Sequence, residues 1–275
     1  MLYNILAIGD VVGGCGVSCL EHHLRAVKKL KNIHFTVVNG ENAAMVGLTP
    51  NDAERIFSAG ADVITLGNHT FGKMQITDYL DDCPYILRPH NLGARVPGRG
   101  YGVFDCGRAR IAVMNLIGRC DLAFHADNPF KTVDELLKSG EKPTFTLLDF
   151  HAEATSEKLA MAYYLDGRVS AIWGTHTHVP TADEEVFPKG TGYLTDLGMT
   201  GAVRSVLGIK PEQSSRRFSA VSRAATASRR RAPARCRERF LHWMTRRGSA
   251  WASSASMCAE KARDRREQRK CPSKK

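Results

Sequence analysis

Long apolar runs are missing from this sequence. None approaches the ~20 residues that a helix needs to cross a bilayer, so an integral membrane protein is not expected. The apolar start, Met1 to Ile8, carries no basic residues and stops at Gly9-Asp10. It reads as a first strand and not as a signal peptide. Cys-x-x-Cys pairs are missing as well. The 8 cysteines are scattered, at Cys15, Cys19, Cys83, Cys106, Cys120, Cys236, Cys258 and Cys271. A chain of this size has no need of disulfide staples, and such usage fits a reducing, cytoplasmic compartment. The spacing of Cys15 and Cys19 is weak for a metal site, and both read as buried or incidental thiols. No internal repeat of fixed period is present.

What is there is an ordinary globular mix over 275 residues, 43% apolar and 24% charged. At about 150 residues per domain this is one large domain or two small ones, with ample material for a core. The net charge of +11 is unevenly placed. Residues 219–275 hold 17 Lys+Arg against 4 Asp+Glu, which leaves 22 against 24 in residues 1–218. A near-neutral body therefore carries a strongly basic tail.

The body alternates strand and helix signals. Tyr3–Gly9, His34–Asn39, Ala61–Leu66, Phe145–Phe150 and Val169–Trp173 are apolar runs of strand length. Tyr101–Cys106 and Arg110–Leu116 flank Gly107-Arg108 as a hairpin. Helical spacing predicts helices over Ser18–Lys31, Lys73–Leu80, Thr132–Lys138 and Ala154–Leu165. Another opens at Thr49-Pro50-Asn51-Asp52, where Thr49 caps, Pro50 suits the first turn and Asp52 suits the helix dipole. The pattern predicts an α/β layered fold with buried strands.

The polar residues fall where such folds bind ligands, at the C-terminal ends of strands. Asp10 follows the first, Glu41-Asn42 the second, Asn68-His69 the third, His151 the fourth, and His176 and His178 the fifth. Each alone has an ordinary explanation: a turn, a solvated loop, a helix cap, a satisfied core histidine. Their joint placement does not. In an extended segment the rings of His176 and His178 point to one side, and two converging imidazoles suit a transition metal. Asn91 and Arg119 are weaker candidates for substrate contact, and a loop-packing role is favoured for them. Glu153, Thr155, Ser156 and Glu157 are read as caps for the helix beginning near Ala154.

Longer stretches carry a resemblance. IGDVVG at 8–13, NGENAA at 39–44, GNHT at 67–70, DFHAEATSEK at 149–158, GTHTHV at 174–179 and TDLGMTG at 195–201 resemble calcineurin-like metallophosphoesterases. They closely resemble the YmdB-like branch, bacterial cyclic-nucleotide phosphodiesterases. The resemblance covers roughly residues 1–218. It implies a four-layer α/β/β/α sandwich and two metal ions, iron or manganese. One ion is held by Asp10, Glu41, Asn42 and His178, the other by Asn68, His151 and His176, with Glu41 bridging. His69 stays off the metals and assists catalysis. The implied chemistry is hydrolysis of a small phosphodiester, a 2′,3′-cyclic nucleotide, by a metal-bridging hydroxide. The wider superfamily places a histidine ligand two residues after the first aspartate. Val12 stands there, as is typical of this branch.

From about Ser219 the sequence departs from its relatives, and the second sheet is expected to lack its closing strands. Low hydropathy and high charge favour disorder. Three readings stay open: a native basic appendage, an RNA-binding arm, and an out-of-frame translation product. The rival functional reading is an RNA-binding or regulatory protein that works through this tail. Relatives assemble into homo-oligomers, and the altered end bears on that interface. Missing closing strands would expose an apolar face and an unpaired edge, so aggregation is expected.

Overall fold

The computed structural model describes residues 3–122, 125–138 and 142–219, and the backbone of 242–246. In chain order its elements begin with β1 (Tyr3–Ile8), β2 (Asp10–Val11), α1 (Gly13–Leu30), β3 (Phe35–Asn39), α2 (Pro50–Ala59), β4 (Val63–Thr65), α3 (Ile76–Asp82) and β5 (Ile86–Leu87). They continue with β6 (Tyr101–Asp105), β7 (Arg110–Ile117), α4 (Pro129–Leu137), β8 (Phe145–His151), α5 (Thr155–Leu165) and β9 (Ala171–Thr175). The last are β10 (Glu185–Val186), β11 (Gly192–Leu194), β12 (Met199–Thr200), α6 (Pro211–Ser219) and β13 (His242–Arg246).

Two sheets carry the fold. The first has the order β13-β1-β3-β4-β5, with β1, β3, β4 and β5 parallel. The second has the order β10-β11-β9-β8-β7-β6. Its inner strands are parallel, and antiparallel β6 and β10 form its edges. Short β2 and β12 pair with each other in parallel.

Strand residues alternate between two buried faces, which is why the runs read as continuously apolar. Leu6 and Ile8 of β1 pack with Leu20, Leu24 and Ile56 of the helices. Ile5 and Ala7, one residue out of phase, pack with Val37 and Val63 against Ile111, Val113, Leu147 and Trp173 of the second sheet. On that sheet's far side, Met114, Leu148 and Ile172 meet Val133 of α4 and Met161 and Leu165 of α5. Among the described residues no helix is long and apolar enough to cross a membrane.

Several boundaries differ from the sequence expectation. Helix α1 starts at Gly13, because the Gly-rich turn before Ser18 is helical despite the poor helix propensity of glycine. A Cβ on Gly16 would lie 2.4 Å from the Thr200 carbonyl oxygen, so glycine there lets α1 approach β12. Strand β9 runs on to Thr175, two residues beyond Trp173. The composition of the tail predicts no strand, yet the backbone of His242–Arg246 runs antiparallel to β1. That segment adds to the edge of the first sheet, not the second. The expectations of disorder and of an RNA-binding arm fall otherwise on residues 220–241 and 247–275, outside the described residues.

Candidate metal centre

The strand ends of both sheets meet at one edge. Glu41, one residue past the Gly40 that follows β3, is buried. Its Oε1 accepts from Asn42 Nδ2 (2.9 Å) and lies 3.3 Å from His151 Nε2, while its Oε2 accepts from the His69 main-chain N–H (3.0 Å). Gly67 makes this approach possible. A Cβ there would sit 2.3 Å from Glu41 Oε2 and 2.3 Å from His151 Nε2.

His151 ends β8, fully buried. Its Nε2 is 2.8 Å from Asn68 Oδ1 and 3.1 Å from His176 Nδ1. Its other nitrogen, Nδ1, is 2.9 Å from Thr175 Oγ1, whose hydroxyl donates to Asp149 Oδ1 at 2.7 Å. Asp149 Oδ2 accepts from Thr65 Oγ1 (2.5 Å) and from Asn39 Nδ2 (3.4 Å). These bonds tie β3 and β4 of the first sheet to β8 and β9 of the second, directly beneath the histidine.

The prediction that His176 and His178 share a side by strand alternation is corrected. β9 ends at Thr175, and both histidines have left-handed backbones, with φ of 103° and 63°. Non-glycine residues seldom adopt these angles. Their neighbours hold them there. Asp10 Oδ2 accepts from the His176 main-chain N–H (3.2 Å), and Asp196 Oδ2 accepts from the Thr177 main-chain N–H (3.2 Å) and Oγ1 (2.8 Å). The two rings then diverge. His176 Nδ1 faces His151, whereas His178 Nε2 lies 3.2 Å from Asn42 Nδ2 and 3.6 Å from Asp10 Oδ1.

Charge follows this geometry. Burial opposes ionisation of Asp10, but the nearby imidazoles of His178 and His151 hold its carboxyl below the usual range. Burial likewise opposes ionisation of Glu41, and the His151 charge brings it down. For His151 burial opposes protonation, but Glu41 wins, and its pKa is pushed up to about 9. Burial pushes Asp149 up to about 6, against the hydrogen bonds from Thr65 and Thr175. Two buried carboxylates thus stay ionised and draw positive charge to themselves, a demand that metal cations also meet.

The donor set fits such cations. Donor atoms of Glu41, His151 and His176 all lie within 4.8 Å of one another. Asp10 Oδ1 and His178 Nδ1 are buried with no hydrogen-bond partner among the described residues. The first is a carboxylate oxygen with its lone pairs unused, as a metal ligand requires. Mixed carboxylate, amide and imidazole donors suit a borderline ion. Beside them opens a cavity of about 330 Å³, lined by Glu41, Asn42, His69, Glu153, His176, Thr177, His178 and Leu207.

Asp10, Glu41, Asn42, Asn68, His69, His151, His176 and His178 are therefore all neighbours. Cys15 and Cys19 lie on α1, outside the Glu41–His151–His176 group. Asn91 packs a loop: its amide donates to the carbonyls of Ile117 (2.8 Å) and Asp127 (2.9 Å). Arg119 lines a separate cavity of about 380 Å³ with His125 and Asp127. The capping role read for residues 153–157 is corrected. Ala154 caps α5 without a side-chain bond, Glu157 accepts from the main-chain N–H groups of Arg119 and Cys120, and Glu153 pairs with His176. Sequence reasoning missed Asp149, Thr175, Thr65 and Asn39. Asn39 and Asp149 carried a signal, a strongly polar residue inside an otherwise apolar strand run, whereas the two threonines did not.

Comparison with known proteins places this arrangement. The family model described as YmdB-like protein matches residues 6–249, running past the composition break at 219. The 2′,3′-cyclic-nucleotide 2′-phosphodiesterase of Bacillus subtilis (strain 168) is 47% identical over 217 residues, 78% of this chain and 82% of that protein. Among solved structures, a novel phosphatase from Mycoplasma pneumoniae has a TM-score of 0.76 at 37% identity, over 82% of each chain. A hypothetical protein from Thermus thermophilus has a TM-score of 0.77 at 35% identity, over 91% of this chain and 96% of that one.

Proposed function

Because the chain belongs to the YmdB-like family, we propose that it is a metal-dependent phosphodiesterase hydrolysing small cyclic nucleotides of the 2′,3′ class. The observation that carries this reading is the convergence of Glu41, His151 and His176 donor atoms within 4.8 Å. The activity named for the Bacillus relative supports the substrate class. The three apolar clusters support a four-layer α/β/β/α sandwich. A cavity of about 330 Å³ is at the small end of ligand sites and favours a compact diester over a polymer.

Asp10, Glu41, Asn42 and His178 would hold one ion, and Glu41, Asn68, His151 and His176 the other, with iron or manganese favoured by the donors. Bound there, the ions would supply Lewis acidity toward the phosphoryl oxygens and a nucleophile from water at neutral pH. The chain's own residues orient and donate hydrogen bonds. Asn68 turns Oδ1 to His151 Nε2 (2.8 Å) and Nδ2 to His69 Nε2 (3.4 Å). An amide donor at Nε2 leaves the proton of His69 on Nδ1. From the cavity wall, that Nδ1–H would donate a hydrogen bond to the leaving ribose oxygen as negative charge develops on it.

Elemental analysis together with turnover of a 2′,3′-cyclic nucleotide tests the reading. Activity should fall on chelation and return with Mn²⁺ or Fe²⁺. His69→Ala should keep its metal and lose about 10²–10³-fold in rate, the usual share of a hydrogen-bond donor to developing charge. Turnover that ignores chelators would overturn the proposal. A second reading rests on the excess of basic residues in 219–275: the tail binds RNA. Such binding should weaken steeply with salt and vanish when the tail is deleted.

A further inference from the structure

Glu153 stands outside the side chains assigned above to the ions, yet its Oε2 lies 3.0 Å from His176 Nε2. The opposite ring nitrogen, Nδ1, is the one that faces His151 Nε2 at 3.1 Å. An imidazole with a carboxylate at one nitrogen keeps its proton there and presents a lone pair from the other.

His176 has a particular need of such support. It has left the sheet, its backbone is left-handed at φ 103°, and its side chain is 19% exposed. Strand packing therefore does not fix its ring, whereas His151 is held inside β8 by Thr175 Oγ1 and, behind it, Asp149. Glu153 is also unused by its own helix, since α5 begins at Thr155 with no side-chain cap. The contact with His176 Nε2 accounts for its carboxylate, and at 48% side-chain exposure it adds little to the core.

We propose that Glu153 is a positioning residue: it fixes His176 as the Nε2–H tautomer and aims Nδ1 at the ion shared with Glu41 and His151. The inference rests on the two-ion reading above. Two carboxylates would then do the same service from opposite sides, Asp149 through a buried hydroxyl and Glu153 directly from the cavity wall.

The experiment is Mn²⁺ binding to the full chain and to Glu153→Ala and Glu153→Gln, followed by competition with a chelator and by electron paramagnetic resonance. Glu153→Ala should weaken one of the two Mn²⁺ equivalents by about 10–100-fold, the usual effect of losing an outer carboxylate partner. The signal of the coupled ion pair should weaken with it. Saturating Mn²⁺ should restore most of kcat. Glu153→Gln, whose amide oxygen still accepts from Nε2–H, should recover most of the affinity. Unchanged Mn²⁺ affinity in Glu153→Ala would overturn the proposal. So would a kcat that stays low when Mn²⁺ saturates, because the carboxylate would then act on substrate. A wild-type chain that binds fewer than two equivalents would overturn the two-ion reading itself, a failure visible before any variant is made.

Discussion

The side of the molecule built on the first sheet delivers Asp10, Glu41, Asn42, Asn68 and His69 to the shared edge, mostly oxygen donors. The second sheet delivers only imidazoles, from His151, His176 and His178. Neither half carries the whole set of donors. The site exists only because the sheets face each other, and the contact between them changes character along its length. Away from the edge it is apolar, with Ile5, Val37 and Val63 against Ile111, Leu147 and Trp173. At the edge it becomes a buried hydrogen-bonded seam of Asn39, Thr65, Asp149 and Thr175. Apolar packing is tolerant of small slips, whereas directional bonds fix one relative placement. The seam therefore sits where placement matters most.

If so, damage should be greatest at the seam and fade with distance from it. Gly67→Ala is the sharpest break. Its Cβ would lie 2.3 Å from a carboxylate oxygen of one half and 2.3 Å from an imidazole nitrogen of the other. Both side chains must move, and a misplacement of roughly 1 Å costs about 10²-fold in rate for each. Turnover should drop by about 10⁴-fold, with metal content falling in parallel.

Next comes Asp149→Ala, which removes the acceptor of the Thr65 and Thr175 hydroxyls and one of the two acceptors of the Asn39 amide. An unsatisfied buried group costs roughly 1–3 kcal/mol, so a loss of about 4 kcal/mol in urea denaturation is expected. Lys158→Met touches only the second half. Lys158 Nζ and Asp196 Oδ2 are 2.8 Å apart, each 1% exposed. Removing the cation leaves a buried carboxylate unpaired, at about 3 kcal/mol. Because Asp196 also holds Thr177, between His176 and His178, metal affinity should fall in that variant as well.

The donor residues at the strand ends were easier to read in the sequence than the seam. Strands buried on both faces are near-continuous apolar runs, so a polar residue just past each end, Asp10, Glu41 or Asn68, stands out. A threonine such as Thr65 or Thr175 inside a run is an ordinary strand former and carries no such signal. Its role depends on which strand lies opposite, and that is settled by pairing far apart in the chain. The backbone at His176 and His178 was hidden for a similar reason: it is held by Asp10 and Asp196, the first of them far away in the chain. Glu153 lay in a helix-start pattern that reads as a cap, and only the folded position of His176 reveals its partner.

The smallest effect sharpens the comparison by having the opposite sign. Gly14 lies in the first turn of α1, on the outer side of the first half, with open space where a Cβ would go. Gly16, two residues on, has the Thr200 carbonyl oxygen 2.4 Å from that position, and Gly13 has a φ of 64°. All three are glycines at the start of one helix, yet only Gly14 has neither a close neighbour nor a left-handed backbone. Replacing it with alanine removes backbone freedom from the unfolded chain and should stabilise the fold by up to about 1 kcal/mol. Metal binding and turnover should not change. The same substitution at Gly16 must push α1 from β12, the partner of the strand that begins with Asp10. It should therefore destabilise the fold and lower metal affinity together. Thermal melts of the two variants side by side, with metal titration, would show whether the boundary between scaffold and site lies between these two residues.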